Sequence, residues 1–181
     1  MKHFKHKKRI IISLITALIV VLFIIGWIDV NSRFPQPQEE LYAVDEWMPY
    51  SDDIQIRAKS IEYCSVHEFN QKYKQKRASD KDNVYIVVQL EVSNASNQAM
   101  DVIHIAQQFV LAIYPIGYVN QGEIIADTPV LAANTTEEKT ICFIVTEGLI
   151  QGGRRETAFK NDVYLYSKSY PIRRAIVFKS E

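Results

Sequence analysis

Four histidines, two cysteines and a handful of adjacent carboxylates are the first side chains to weigh for chemistry in this 181-residue chain. His3 and His6 stand among Lys2, Lys5, Lys7, Lys8 and Arg9, a setting that reads as a solvated basic flank. His67-Glu68 would open a zinc-protease helix only if a second His followed one turn later, and position 71 is Gln. His104 has no partner of its kind nearby and reads as a structural residue. The run from Gly148 to Gly153 lacks the Lys-Ser/Thr pair of a phosphate loop, and no G-x-S-x-G elbow occurs. Asp52-Asp53 and Glu137-Glu138 fall where turns are expected, so solvated acids are their default. These residues predict no catalytic group, no cofactor and no metal, hence a protein that is not an enzyme.

Cys64 and Cys142 admit two readings. Both fall in predicted strands, and outside the cytoplasm a disulfide between them is chemically permitted. Closing a loop of about 79 residues would stabilise by about 4 kcal/mol on chain entropy alone. Antibody-type sandwiches join two facing strands in this way. On the other side, Cys142 alternates with Ile141, Phe143 and Val145 and so points away from their face. A free Cys also packs simply as a small hydrophobe. Two cysteines are too few for a structural zinc site, and no C-x-x-C is present.

The elements that must hold these residues follow from composition. The chain carries 21 basic and 21 acidic residues, and a net charge of zero argues against nucleic acid as a partner. The balance is uneven: residues 1–30 hold five basic residues and only Asp29, leaving 16 basic and 20 acidic residues in 31–181, a net of −4. Between Arg9 and Asp29 runs Ile10 to Ile28 without a charge. A helix of this length rises about 28 Å, close to the ~30 Å hydrocarbon core of a bilayer. The basic cluster places its N-terminal side in the cytoplasm, and Trp27 suits the far interface. A cleaved signal peptide would have a shorter apolar core, and no Cys follows for a lipid anchor. The predicted organisation is a basic tail over 1–9, a single-pass signal anchor over 10–30, a Pro-containing extracytoplasmic stalk over 31–53 (Pro35, Pro37, Pro49) and a domain over 54–181. The lipid bilayer is thus the one partner the composition names.

From Ile54 onward the pattern has the period of strands. Ile54, Ile56 and Ala58 alternate with Gln55, Arg57 and Lys59. Val84 to Val92 sets Ile86, Val88, Leu90 and Val92 against Tyr85, Gln89 and Glu91. Further strands are expected over 109–114, 138–146, 163–166 and 175–178. Residues 70–83, with Lys72, Lys74, Lys76, Arg77 and Lys81, read as a polar hairpin loop. Residues 102–108 fit either one turn of helix or an irregular crossover. Six or seven short strands without an amphipathic helix predict an all-β, immunoglobulin-like antiparallel β-sandwich.

Tyr85-Ile86-Val87-Val88-Gln89-Leu90-Glu91-Val92-Ser93-Asn94-Ala95-Ser96, then Phe109-Val110-Leu111 and Ile141-Cys142-Phe143-Ile144-Val145, resembles the strand pattern of telokin-like secreted antigens of bacteria. Where that family has a Pro-Gly turn, this chain has Ala132-Ala133-Asn134-Thr135-Thr136. The resemblance implies an immunoglobulin-like domain held outside the membrane by a helix or lipid, and assigns no catalytic residue. It also makes the glycosylation-like triplets Asn94-Ala95-Ser96 and Asn134-Thr135-Thr136 plain turn sequences. Two functions are compatible with this reading. One is a module that binds a protein or cell-envelope component at the surface. The other is an accessory subunit of a membrane transport or secretion complex, using Ser13-x-x-x-Ala17 for helix contacts.

Overall fold

The computed structural model describes residues 2–33, 37–77, 83–120, 122–125, 129–150, 157–168 and 171–180, with the backbone only for 2–11, 120 and 168. The chain forms two units, Met1–Pro37 and Gln38–Glu181. In the first, helix α1 (Lys2–Arg33) continues through the basic tail and beyond residue 30. Its stretch Ile12–Arg33 is long and apolar enough to cross a membrane. Thr16 hands its hydroxyl proton back to the Ile12 carbonyl at 3.0 Å, so the helix itself satisfies that polar atom. Asp29 and Arg33 pair at 3.0 Å in the last turn.

The second unit starts at residue 38, earlier than the 54 expected from sequence. The predicted stalk supplies two strands, β1 (Gln38–Ala43) and β2 (Met48–Pro49), leaving only 34–37 between helix and domain, of which 34–36 lie outside the described residues. The rest comprises β3 (Ile54–Ser65), α2 (Val66–Tyr73), β4 (Val84–Asn94), β5 (Met100–Asp101), α3 (Ile103–Gln108), β6 (Val110–Ile113), β7 (Gly117–Asn120), β8 (Glu123–Ile124), β9 (Val130–Leu131), β10 (Thr135–Val145), α4 (Glu147–Ile150), β11 (Val163–Lys168) and β12 (Ile172–Phe178). Two five-stranded sheets result, ordered β1-β12-β11-β6-β7 and β2-β3-β4-β10-β8, with β5 and β9 as a separate pair. The architecture is a β-sandwich, and one pairing departs from the antiparallel expectation: β1 runs parallel to β12.

Alternation builds the core. Ile86, Val88 and Leu90 of β4, Ile141, Phe143 and Val145 of β10, Leu111 and Ile113 of β6 and Leu165 of β11 all point between the sheets and are buried. A bulge between Ala58 and Ser60 shifts the register of β3 against β4. One extra residue reverses which side chains face inward. Ile54, Ile56 and Ala58 face the core before it, whereas Ile61 does so after it, and Cys64 turns to the outer face.

That outer face is roofed by α2, whose last residues fall in the 70–83 stretch read from sequence as a polar hairpin loop. Its signal was present as Ser65-Val66-His67-Glu68. Ser65 accepts from the Glu68 amide while Glu68 accepts from the Ser65 amide, a capping box. Lys74, at φ 52°, ends the helix in the left-handed region. Val66 and Phe69 bury a second cluster against Cys64, Tyr85, Val87 and Cys142. The undecided residues 102–108 contain the short helix α3.

Candidate functional site

The outward faces of the two sheets have different fates. On the second sheet, α2 covers one half, and the other carries polar residues such as Gln55, Gln89 and Thr136 with an Arg57–Glu91 ion pair. On the first sheet, no element among the described residues lies over the outer face. By register this side of the sheet carries Glu39 and Leu41 from β1, Arg173, Ala175 and Val177 from β12, Tyr164 and Tyr166 from β11, Val110 and Ala112 from β6, and Tyr118 from β7, of which Ala175 and Val177 are buried. Leu41 is 52% exposed and Tyr118 60%.

The long side chains of this face hold one another. The Arg173 guanidinium lies 3.9 Å from the Tyr166 ring centroid and 5.8 Å from that of Tyr118. Its Nη2 donates to the Tyr118 hydroxyl at 2.9 Å, and the Tyr166 hydroxyl donates to Glu39 at 3.2 Å. Tyr164 and Tyr166 stack with centroids 6.1 Å apart and planes within 12°. Hydrogen bonding to Tyr118 raises the Arg173 pKa further above its ordinary value. Arg173 makes no ion pair within 4.0 Å among the described residues, but Glu39, its register partner on β1, lies close enough for its charge to help raise the Arg173 pKa. At the edge of the face, Tyr114, Pro115, Tyr118, Asp162 and Tyr164 wall a cleft of about 280 Å³. Gly117, at φ 97°, closes the tight turn into β7 there, a conformation that favours glycine.

Strand alternation divides the adjacent pair Arg173-Arg174. Arg174 points inward, pairs with Glu40 at 2.7 Å and donates to the Pro49 carbonyl at 3.1 Å. The Arg174 hydrogen bond holds the Glu40 carboxyl below its ordinary pKa. These contacts tie β1 and β2 to β12, so the framework beneath the face includes the residues assigned to the stalk.

Cys64 and Cys142 are both free and buried, which corrects the disulfide reading. They lie in the same sheet on either side of β4, Cys64 opposite Tyr85 and Cys142 opposite Val87. Two strand spacings separate their backbones by about 9.5 Å, beyond the ~7 Å a disulfide can bridge. Burial pushes both thiols up to about 12, and for Cys64 the hydrogen bond to Glu62 adds to it. Since these folded values exceed those of exposed thiols, the associated stability is fully present below pH 9.0 and is lost as pH rises from 9.0 toward about 12. Native protein at pH 8 is therefore expected to leave both thiols unreacted with a thiol reagent. A Cys64→Ala/Cys142→Ala double variant is expected to show a shallower fall of Tm above pH 9 than the parent, and an unchanged slope would contradict it.

The other residues weighed in the sequence scatter. His67 and His104 are exposed on α2 and α3, and the side chains of His3 and His6 lie outside the described residues. Asp52 and Asp53 are exposed in a bend, whereas Glu137 and Glu138 sit in β10, where Glu137 pairs with Lys139 at 2.8 Å. Lys72 belongs to α2 and pairs with Glu62. Lys81, Gly152 and Gly153 lie outside the described residues. Among the described residues, no three His, Cys, Asp or Glu side chains are grouped to hold a metal.

No protein-family model and no curated protein sequence matches the chain. Among solved structures, it is similar to an uncharacterized β-sandwich protein from Clostridium difficile 630, at 15% identity and TM-score 0.48 over 80% of this chain and 97% of that one. It is also similar to a functionally unknown protein from Listeria monocytogenes EGD-e, at 10% identity and TM-score 0.47 over 75% and 82%. These neighbours are uncharacterised bacterial proteins, so the similarity concerns the fold alone.

Proposed function

We propose that the chain is a membrane-anchored, extracytoplasmic binding module whose open Tyr/Arg face engages a protein or cell-envelope component. One observation carries this reading: a five-stranded sheet, over whose outer side no helix lies among the described residues, sets Tyr118, Tyr164, Tyr166 and Arg173 across it in a chain of contacts. Tyr and Arg dominate binding energy at interfaces, because they offer large contact area and lose little freedom when already held in place. Recognition of this kind needs no catalytic group, in keeping with a protein that is not an enzyme.

The immunoglobulin-like assignment is supported by strand order. The run β3-β4-β10-β8 follows the A-B-E-D order of such sandwiches, and β12-β11-β6 follows G-F-C. The kinship with telokin-like secreted antigens rests on the Tyr85–Ser96 pattern, which forms β4 and its turn. Anchoring by α1 rests on Ile10–Ile28, with the basic tail inside.

Anchoring is checked by placing charges in the middle of the helix. Val20→Arg with Phe23→Arg costs about 2.5–3.5 kcal/mol of insertion per residue, and the doubly substituted chain is expected to leave the membrane fraction; full retention would remove the anchor. The binding face is checked with a photo-crosslinking residue at Tyr118 in intact cells, and at Gln89 on the polar face as control. Adducts are expected from position 118 only, and equal labelling at both positions would overturn the reading.

A further inference from the structure

We propose that the basic stretch Lys2–Arg9 binds the negatively charged headgroups of anionic phospholipids, so that α1 selects the lipids around it as well as crossing the bilayer. This rests on the reading of α1 as a membrane anchor and names the lipid class it prefers. Lys2, Lys5, Lys7, Lys8 and Arg9 are followed directly by the charge-free run Ile10–Ile28, and no acidic residue stands among them. The backbone is one continuous helix from Lys2 to Arg33, so the placement of these positions follows from helix geometry.

Along the axis, Arg9 lies about 1.5 Å beyond Ile10, Lys5 about 7.5 Å and Lys2 about 12 Å. The headgroup layer on each side of the hydrocarbon is about 5–7 Å deep. Positions 7, 8 and 9 therefore stand at headgroup level, and position 5 at its outer margin. Position 2 is still within the ~8 Å over which charges act on that layer at physiological salt. At about 100° per residue, positions 2, 5, 8 and 9 share one side of the helix and position 7 falls opposite, so charge surrounds the axis. Phe4 is the one large apolar residue of 2–9, which leaves no apolar face on which this segment could lie flat in the interface. The result is a cationic collar threaded through the phosphate layer, where each Lys or Arg adds to the attraction for anionic lipid.

The opposite end of the helix has no such collar. Asp29 and Arg33 pair at 3.0 Å and cancel. Residues 31–181 carry a net charge of −4. Attraction to anionic lipid is thereby confined to the end that bears the collar. Headgroup phosphate is favoured over a nucleic acid because the apolar run holds the collar within the phosphate layer, whereas a soluble polyanion must bind from solution.

The test places the full chain in phosphatidylcholine nanodiscs, open to solvent on both faces, with a trace of spin-labelled phosphatidylglycerol or spin-labelled phosphatidylcholine. Electron spin resonance reads the fraction of each probe that the protein immobilises. Phosphatidylglycerol is expected to associate about threefold more strongly than phosphatidylcholine at low ionic strength, and the ratio to fall toward one in about 1 M salt. Lys2→Gln, Lys5→Gln, Lys7→Gln, Lys8→Gln and Arg9→Gln together keep good helix formers and are expected to bring the ratio to one with the chain still embedded. Asp29→Asn with Arg33→Gln is expected to leave the ratio unchanged. Equal association of the two lipids with the parent chain, or a preference that survives the five Gln substitutions, overturns the proposal while the anchor stands. Displacement of the phosphatidylglycerol probe by soluble polyphosphate at the same phosphate concentration would make the collar a general polyanion site and overturn the lipid assignment. If neither probe is immobilised, no helix is inserted and both readings fall.

Discussion

Phe69→Ala is expected to lower the stability of the domain by about 3–5 kcal/mol and, with it, to make the two buried thiols reactive. Phe69 is fully buried and stacks on Tyr85 with ring centroids 4.3 Å apart, while Tyr73 lies 5.3 Å away on the same helix. An eight-residue helix has too few hydrogen bonds to persist by propensity, so α2 depends on this contact. Removing the ring leaves a cavity and detaches the roof over Cys64, Val87 and Cys142. Urea unfolding measures the first effect, and the rate of thiol modification at pH 8 the second. A variant that loses stability while its thiols stay protected would show that something other than α2 covers them.

The second large effect is expected at Asn94. Asn94→Leu keeps the branched side-chain shape but adds bulk and strands several polar groups, and should cost at least about 3 kcal/mol. Asn94 is 1% exposed at the end of β4. Its amide donates to the carbonyls of Gln98 at 2.8 Å and Ala132 at 3.1 Å. Its carbonyl accepts from the Ser96 amide at 3.0 Å and the Ser96 hydroxyl at 2.7 Å. One side chain thus folds the turn after β4 and joins it to the turn before β10. Asn94→Asp keeps the acceptor but sets a buried carboxylate oxygen against the Gln98 and Ala132 carbonyls, so at neutral pH its cost should be no smaller than that of Leu. A melting temperature for Asn94→Leu within about 1 °C of the parent would remove this role, since 1 kcal/mol shifts a domain of this size by several degrees.

The placement of Asn94 also explains the Asn94-Ala95-Ser96 triplet. Its amide group is consumed by the fold, in accord with a turn sequence. Asn134, at φ 55°, occupies the left-handed position of the next turn, which asparagine tolerates better than most residues.

Much of this molecule was legible in one dimension. A charge-free run of nineteen residues needs no tertiary information to be read as a long apolar helix, because hydrophobic length is a local property. The alternation in Ile86, Val88, Leu90 and Val92, and in Ile141, Phe143 and Val145, determined which side of each strand faces the core, because side chains alternate strictly. Even the covered outer face left a trace: Val84-Tyr85-Ile86-Val87-Val88 is apolar at every position, as a strand buried on both faces must be.

What the tertiary structure alone decided were matters of pairing. The bulge between Ala58 and Ser60 turned Cys64 away from the core, and placement of both cysteines in one sheet on either side of β4 excluded their disulfide. Residues with the composition of a stalk became β1 because β12 offered a free edge and Arg174 a partner for Glu40. The candidate face is likewise a product of topology. Glu39, Tyr118 and the Tyr166–Arg173 hairpin are far apart in sequence, and they converge only because the sheet brings β1, β12, β11 and β7 into one layer. Local pattern records which way each side chain points, but the long-range hydrogen bonds between strands determine what lies beside it.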